Sequence, residues 1–240
     1  MPGLNASRSH SVIMQHDSAS DFLAAAYPTL QRHEASANIV MAHALKRVST
    51  EAALSGFQFT CDSDVENWLS SADASSFTPH RNENAFWLTL WSSPSPSSPP
   101  VLDLVLACVD WTLGKYPIFL WTPQSQSTIA SAWLAPRIRQ MAEHLRLCVP
   151  PQRVFSVFGM TPLVKTFTRC WTALTGFVVE PEPFYAAYFS FCTAKTFKNS
   201  RFPLPAGHHL RRAMISDVDS VAQLCKEFAD DSVSPFYVIR

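Results

Sequence analysis

The sequence predicts an α/β (α+β) fold in which a mixed sheet is flanked by helices. Apolar residues recur at helical spacing in residues 34–54 and again in residues 127–147. Between these segments lie short runs that are rich in aromatic and aliphatic residues, which is typical of strands. These runs are residues 85–91, 101–111 and 116–121. Helices and strands in mixed order around one sheet indicate this class of fold.

Two helices are predicted before the first central strand. Ser20 is expected to cap the first helix, which Pro28 should kink or divide. Residues 34–54 separate into an apolar stripe and a polar stripe, which predicts an amphipathic helix. A shorter helix is expected at residues 64–69. Residues 1–18 are polar, and we expect them to form a flexible N-terminus.

The middle of the chain continues the alternation of strands and helices. The turn-like residues 112–115 predict a β-hairpin between the second and third apolar runs. Pro136 is expected to interrupt the helix at residues 127–147. A short buried strand is predicted at residues 154–158.

A further helix and a further strand follow. Thr161 can cap this helix, with Pro162 at its first position, and Gly176 is expected to end it. The aromatic run at residues 184–191 predicts a strand.

The best domain boundary is the stretch at residues 195–207, which loses periodicity and gains lysine and proline. It divides a domain at residues 19–194 from a segment at residues 208–240. In that segment, a strand is predicted at residues 208–213. The Ser-x-x-Asp motif at residues 216–219 is expected to begin a helix.

The composition favours a soluble cytoplasmic protein. Nineteen Lys and Arg balance nineteen Asp and Glu, so nothing suggests nucleic acid or an anionic membrane as the main partner. The six cysteines lie far apart, and we interpret them as reduced thiols. No apolar stretch is long enough for a membrane span, and no residues stand at metal-ligand spacing.

The end of the chain carries a motif that resembles a known family. Residues 210–217 have the pattern Leu-Arg-Arg-Ala-x-x-x-Asp, and apolar positions follow at Val221, Leu224 and Phe228. This pattern resembles the opening strand and first helix of the GNAT superfamily of N-acetyltransferases. The resemblance implies that residues 208–240 are the start of a truncated GNAT domain.

A second pattern is similar to the N-terminal region of two-part GNAT proteins from fungi and bacteria. Residues 22–38 read Phe-Leu-x-x-x-x-Pro-x-Leu-x-x-x-Glu-Ala-x-x-Asn, and residues 171–176 read Trp-x-x-Leu-Thr-Gly. Those proteins place a degenerate GNAT-like half before the catalytic half. The resemblance therefore implies that residues 19–194 are a GNAT-like N-terminal domain.

The activity implied for the complete protein is transfer of an acetyl group from acetyl-CoA to an amine. The family holds the pyrophosphate of this co-substrate with backbone amides of a Gln/Arg-x-x-Gly-x-Gly/Ala turn at a helix N-terminus. The chain has six glycines, no two of them closer than seventeen residues apart. We therefore expect this chain to be inactive alone and assign it no catalytic or cofactor-binding residue.

The resemblance also implies three contacts with the acceptor substrate. Asp230, Phe236 and Tyr237 lie in or after the first helix of the second GNAT segment, where family members line the acceptor cleft. The alternative to an enzyme is a non-enzymatic GNAT-like interaction domain or substrate-recruiting domain. A Cys-His or Ser-His nucleophile is also conceivable, although no motif places a base beside a nucleophile.

Overall fold

The computed structural model describes residues 10–54, 56, 58, 60, 62–70, 85–93, 95, 98–111, 114–181, 183, 186–188, 192, 195–198 and 204–232. The chain divides into two compact units, Met1–Val179 and Glu180–Arg240. The division therefore falls before residues 195–207, where the sequence places the linker.

The first unit is a mixed α/β domain, as the sequence predicts. Its helices are α1 (Ala19–Arg32), α2 (Glu34–Leu54), α3 (Asp62–Leu69), α4 (Ser131–Cys148) and α5 (Thr161–Thr175). Its strands are β1 (His10–His16), β2 (Phe86–Ser93), β3 (Val101–Cys108), β4 (Asp110–Trp111), β5 (Gly114–Lys115), β6 (Ile118–Trp121) and β7 (Val157–Gly159).

Five of these strands form one mixed sheet in the order β1-β2-β3-β6-β7. The first four pair antiparallel, whereas β6 and β7 pair parallel, from Ile118 opposite Val157 to Leu120 opposite Gly159. Strands β3 and β6 form the expected hairpin, and the short β4–β5 ribbon continues it beyond the sheet.

Helices cover both faces of the sheet. Trp87, Val105 and Ala107 share one buried cluster with α1, α2 and α3. The alternate positions Leu88 and Leu106 belong to a second cluster with α4 and α5. Because both faces are buried, β2 and β3 are continuous apolar runs rather than alternating patterns.

Two prolines that the sequence analysis took for helix breaks lie inside continuous helices. Pro28 is within α1 and Pro136 is within α4. A proline removes the hydrogen bond to the carbonyl four residues earlier, here that of Ala24 or Ala132. All four residues are exposed, so water can hydrate the freed carbonyls while the opposite face of each helix stays packed.

Two helices have N-cap residues that come earlier in the chain than the ones predicted. The hydroxyl of Ser18, not that of Ser20, caps α1 by accepting a hydrogen bond from the Asp21 amide at 3.0 Å. Ser20 lies within the helix and donates to Glu51 at 2.9 Å. Met160, not Thr161, is the N-cap residue of α5, and it contributes no side-chain hydrogen bond.

Two predicted strand regions also change. Residues 10–16, assigned above to a flexible N-terminus, form the edge strand β1, which pairs with β2 along its whole length. The buried strand expected at residues 154–158 is the shorter and partly exposed β7. A 3₁₀ turn, Pro151–Arg153, takes up the preceding residues. Gly176 ends α5 as predicted, with φ of 77°.

The second unit has one described helix, α6 (Val218–Ser232), after a 3₁₀ turn at Ile215–Asp217. The strand predicted at residues 208–213 is wrong, because this stretch is exposed and has no strand pairing. Asp217, rather than Ser216, closes the turn: it accepts from the Met214 amide at 2.8 Å and pairs with Arg211. Of the strand predicted at residues 184–191, only 186–188 are described, and they are not in a strand.

A buried arginine bridges the two chain segments that connect the main sheet to the β4–β5 ribbon. Arg153 is 3% exposed and donates to the carbonyl oxygens of Tyr116 at 2.9 Å and Val109 at 2.8 Å. The Tyr116 amide donates to the same Val109 oxygen at 3.1 Å. The guanidinium thus joins the 3₁₀ turn before β7 to both sides of the hairpin.

Replacing this arginine should destabilise the first unit. We expect Arg153→Met to lower the free energy of unfolding by about 2–3 kcal/mol, because the carbonyl oxygens of Tyr116 and Val109 both lose the guanidinium that donates to them. Urea unfolding followed by circular dichroism measures the change. Arg139→Met is the control, since Arg139 pairs with Glu143 on the surface and should cost less than about 0.5 kcal/mol. Equal stability of both variants would show that the Arg153 hydrogen bonds do not stabilise the first unit.

Candidate functional site

The predicted substrate residues are not brought together by the described structure. Asp230 lies in α6, but its side chain is outside the described part of the chain. Phe236 and Tyr237 also lie outside the described residues. The acceptor contacts implied by the GNAT resemblance therefore stay a prediction.

A cysteine and a histidine do meet on the first unit, but not as a nucleophile and its base. The Cys148 thiol donates to Gln15 Oε1 at 3.2 Å and to the His144 carbonyl at 3.3 Å, and the His144 ring contacts the same Gln15 oxygen. Burial raises the pKa of the Cys148 thiol, which disfavours the reactive thiolate. Burial likewise raises the pKa of Cys108 to about 11.

The polar residues noted on α2 are also explained by packing or exposure. Glu34 and Asn38 are both exposed to solvent. His43 is half-buried, with its ring centroid 4.8 Å from that of Tyr116 and 5.5 Å from that of Phe119. Burial lowers the pKa of His43, and the nearby Arg47 and Lys46 lower it further.

One concave site is a cleft of about 300 Å³ at the turn between α1 and α2, which we call the corner cleft. Its polar lining residues are Thr29, Arg32, His33 and Gln124. Its apolar lining residues are Trp91, Pro100, Val101, Leu102 and Pro123. The lining therefore comes from one helix end, two neighbouring strands and the segment after β6.

Hydrogen bonds from the sheet fix the helical wall of the corner cleft. Trp121 in β6 donates its indole N–H to Ser36 Oγ at 3.2 Å, and Ser36 donates to the His33 carbonyl at 3.2 Å. The His33 ring meets the Trp121 ring edge-on, with centroids 6.0 Å apart. This chain of contacts anchors the α1–α2 turn to the sheet.

A buried network fixes the opposite wall. Trp91 donates its indole N–H to Thr89 Oγ1 at 2.8 Å, and His16 Nε2 lies 2.8 Å from the same oxygen. An indole nitrogen only donates, so the single hydroxyl proton of Thr89 is available to a neutral His16 ring. Burial lowers the pKa of His16, which favours this neutral form against the opposing effect of Asp21 and Asp17.

The segment after β6 is ordered in a similar way. The Thr122 hydroxyl donates to the Asp103 carbonyl at 2.6 Å and accepts from the Gln124 amide at 3.2 Å. Gln124 therefore reaches the cleft from a braced backbone. The Asp103 carboxylate is buried and pairs with Arg137 of α4 at 2.7 Å, on the other face of the sheet.

Three backbone amides in the connection from β6 to α4 are bonded within the connection itself. In α/β sheets this is a usual place for a phosphate, since it joins the carboxyl end of a strand to a helix N-terminus. Here the Thr128 and Ile129 amides donate to the Ser125 carbonyl at 3.0 and 3.3 Å, and the Ala130 amide donates to the Thr128 carbonyl at 2.7 Å. These three donors are already used within the connection.

The parallel strands beside this connection are closely paired. A Cβ atom at Gly159 of β7 would lie 2.6 Å from the Leu120 carbonyl oxygen of β6. The two backbones therefore approach more closely than any other residue type would allow without a shift.

A second, larger concavity lies at the sheet edge. It measures about 710 Å³ and is lined by residues of β1, α4 and α5, among them Ile13, Glu143 and His144. It is a shallow groove, and its Gln15, His144 and Cys148 neighbours are engaged with one another as described above.

Sequence reasoning missed the corner cleft. Arg32 and His33 fall at the boundary between two helices, where a basic pair is ordinarily a helix end, and Gln124 lies in a polar loop. The only local signal is the pair of tryptophans, Trp91 and Trp121, whose indole N–H groups need partners when buried.

No protein-family model, curated protein or solved structure matches this chain. Within the described residues, no helix is long and apolar enough to cross a membrane. Nor do the described residues hold a group of three or more His, Cys, Asp or Glu side chains placed for a metal ion.

The buried His16 should make stability depend on pH. Its folded-state pKa is lowered below 6.5, so the unfolded chain takes up a proton first as the pH falls through that value. We expect the contribution of His16 to the free energy of unfolding to be constant above this range and to fall as the pH drops from about 7 to about 5. His43 contributes in the same direction.

Urea unfolding at a series of pH values measures this dependence. His16→Gln should reduce the loss of unfolding free energy at low pH. The part of that loss that is due to His43 should remain. His33→Gln controls for the removal of any histidine from the first unit, because His33 is exposed. An unchanged slope in His16→Gln would show that the Thr89 network does not hold the ring neutral.

Proposed function

We propose that the chain belongs to an acetyl-CoA-dependent N-acetyltransferase of the GNAT superfamily, and that the first unit is its non-catalytic, substrate-recruiting half. One observation carries the proposal: the amides of residues 128–130 are used within the β6–α4 connection, while the corner cleft stands open and lined with polar groups. The first unit is thus built to bind a ligand in the corner cleft, where the β6–α4 connection begins, and not to hold a pyrophosphate at the amides of residues 128–130.

The architecture supports the GNAT part of the proposal. A mixed sheet flanked by helices is what the motifs at residues 22–38 and 171–176 imply. The first motif contributes buried Phe22, Leu23 and Leu30 to one core, and the second contributes Trp171 to the other. These four motif residues are therefore packing residues, which a half without catalytic groups would still need.

The chemistry of the reactive groups supports a binding role. The thiols of Cys108, Cys148 and Cys170 all have their pKa raised by burial, so none is a ready nucleophile. The buried carboxylate of Asp103 is neutralised by Arg137 and is not available as a general base.

The second unit is assigned to the catalytic half on its motif. The Asp217 carboxylate accepts from the Met214 amide and pairs with Arg211, at 2.6 and 2.8 Å to its two oxygens. The Arg and Asp of the resemblance therefore contact each other at the entrance to α6. In the complete protein, Asp230, Phe236 and Tyr237 would contact the amine acceptor, which attacks the thioester of acetyl-CoA directly.

Calorimetric titration of acetyl-CoA into the 240-residue chain tests the proposed function. We expect no binding heat above that of dilution, because the amides of residues 128–130 are already bonded within the β6–α4 connection and are not free for a pyrophosphate. Micromolar affinity would mean that the first unit keeps a coenzyme site of its own. That outcome would overturn the non-catalytic role.

A matched variant sharpens the same titration. Arg137→Gln removes the buried cation closest in sequence to the α4 N-terminus, and it should leave the absence of binding unchanged. If the wild-type chain binds and this variant does not, the coenzyme site lies at α4.

A further inference from the structure

The polar side chains of the corner cleft include one cation, the guanidinium of Arg32. Arg32 donates from Nη2 to the Thr29 hydroxyl at 3.1 Å, which holds the guanidinium against the last turn of α1. His33 and Gln124 line the same cleft and add an imidazole and a carboxamide. These groups supply hydrogen-bond donors, and the guanidinium supplies a fixed positive charge.

No carboxylate balances that charge within the cleft. None of the nine lining residues is acidic, and Arg32 has no ion-pair partner in the part of the chain that the structure describes. Asp103 follows the lining residue Leu102, but its carboxylate is turned to the opposite face and is taken by Arg137. The cleft therefore favours an anion and disfavours a protonated amine.

The remaining lining is apolar, and its largest side chain is fixed by a hydrogen bond. Trp91, Pro123 and Leu102 form it, and the Trp91 indole is held by Thr89 at 2.8 Å. An indole and a proline ring are suitable neighbours for a flat ring. A volume of about 300 Å³ is at the small end for ligand sites, which selects a small molecule over a peptide.

We propose that the corner cleft binds a small anion, a carboxylate or a phosphate monoester, carried on a flat apolar ring. Arg32 and His33 receive the anionic group, Gln124 donates a further hydrogen bond, and Trp91 and Pro123 contact the ring. The inference rests on the recruiting role proposed above and gives the chemical class of what is recruited. The cleft would therefore hold the substrate by its anion-bearing ring and not by the amine that is acetylated.

Titration with four probes tests the inference: phenyl phosphate, benzoate, inorganic phosphate and benzylamine. Calorimetry gives the affinities, and heteronuclear NMR of the indole N–H groups reports the place of binding. We expect phenyl phosphate and benzoate to bind and to shift the Trp91 and Trp121 resonances. Inorganic phosphate should bind at least about tenfold more weakly without the ring contacts, and benzylamine should not bind.

Variants at Arg32 decide whether the guanidinium is the anchor. Arg32→Gln should weaken phenyl phosphate at least about tenfold, and Arg32→Lys should retain part of the affinity because it keeps the charge but not the planar fork. Arg139→Gln, on the exposed surface of α4, is the control and should bind as the wild type does. The NMR spectrum of each variant confirms that it is folded.

Several outcomes would overturn the inference. They are no binding of either aromatic anion, binding of benzylamine equal to that of phenyl phosphate, unchanged affinity in Arg32→Gln, and shifts confined to indoles other than Trp91 and Trp121. Failure here leaves the acetyl-CoA result standing, because that titration addresses the β6–α4 connection. Conversely, acetyl-CoA binding would refute the non-catalytic role whatever the small anions do.

Discussion

The burial of the central sheet on both faces is the constraint on which the rest of the structure depends. Strands β2 and β3 lie between α1 and α2 on one side and α4 and α5 on the other, so a polar side chain in them has no water to bond. Thr89 is satisfied by His16 and Trp91, and Asp103 is satisfied by Arg137. The His16–Thr89 and Arg137–Asp103 bonds cross between elements, whereas the Trp91–Thr89 bond lies within β2. The polar groups therefore dock β1 on the sheet and α4 on its face, in addition to the apolar contacts.

The features that sequence predicted are those set by local pattern. Helix α2 has the predicted bounds because its apolar stripe is uninterrupted, and α5 ends at Gly176 because a positive φ is required there. The failures are those in which tertiary packing overrides local signals. Pro28 and Pro136 are tolerated because they face solvent, a property that spacing alone does not reveal. Strand β1 exists because β2 pairs with it from His16 to His10, and its short apolar centre, Val12 to Met14, lies between polar residues and gives little sign of that partner.

The candidate site was beyond sequence reasoning for a related reason. Its lining comes from the end of α1, from β2 and β3 and from the segment after β6, which lie up to about a hundred residues apart along the chain. The groups that give it shape are themselves not in the lining. Ser36, Thr89 and Thr122 are small polar residues with no motif around them, and their role follows only from the hydrogen bonds that they make to Trp121, Trp91 and Gln124.

The segment after β6 has the amides of residues 128–130 bonded within it, and it also lines the corner cleft with Pro123 and Gln124. Closing the β6–α4 connection uses bonds within a single loop, from Ser125 to Ala130, and leaves the strands in register. The corner cleft is held by side chains of β2 and β6 that also belong to the core network, so it cannot be lost without cost to the fold. If the first unit is the non-catalytic half proposed above, the loop site would be lost before the corner cleft, because the loop bonds lie outside the core network.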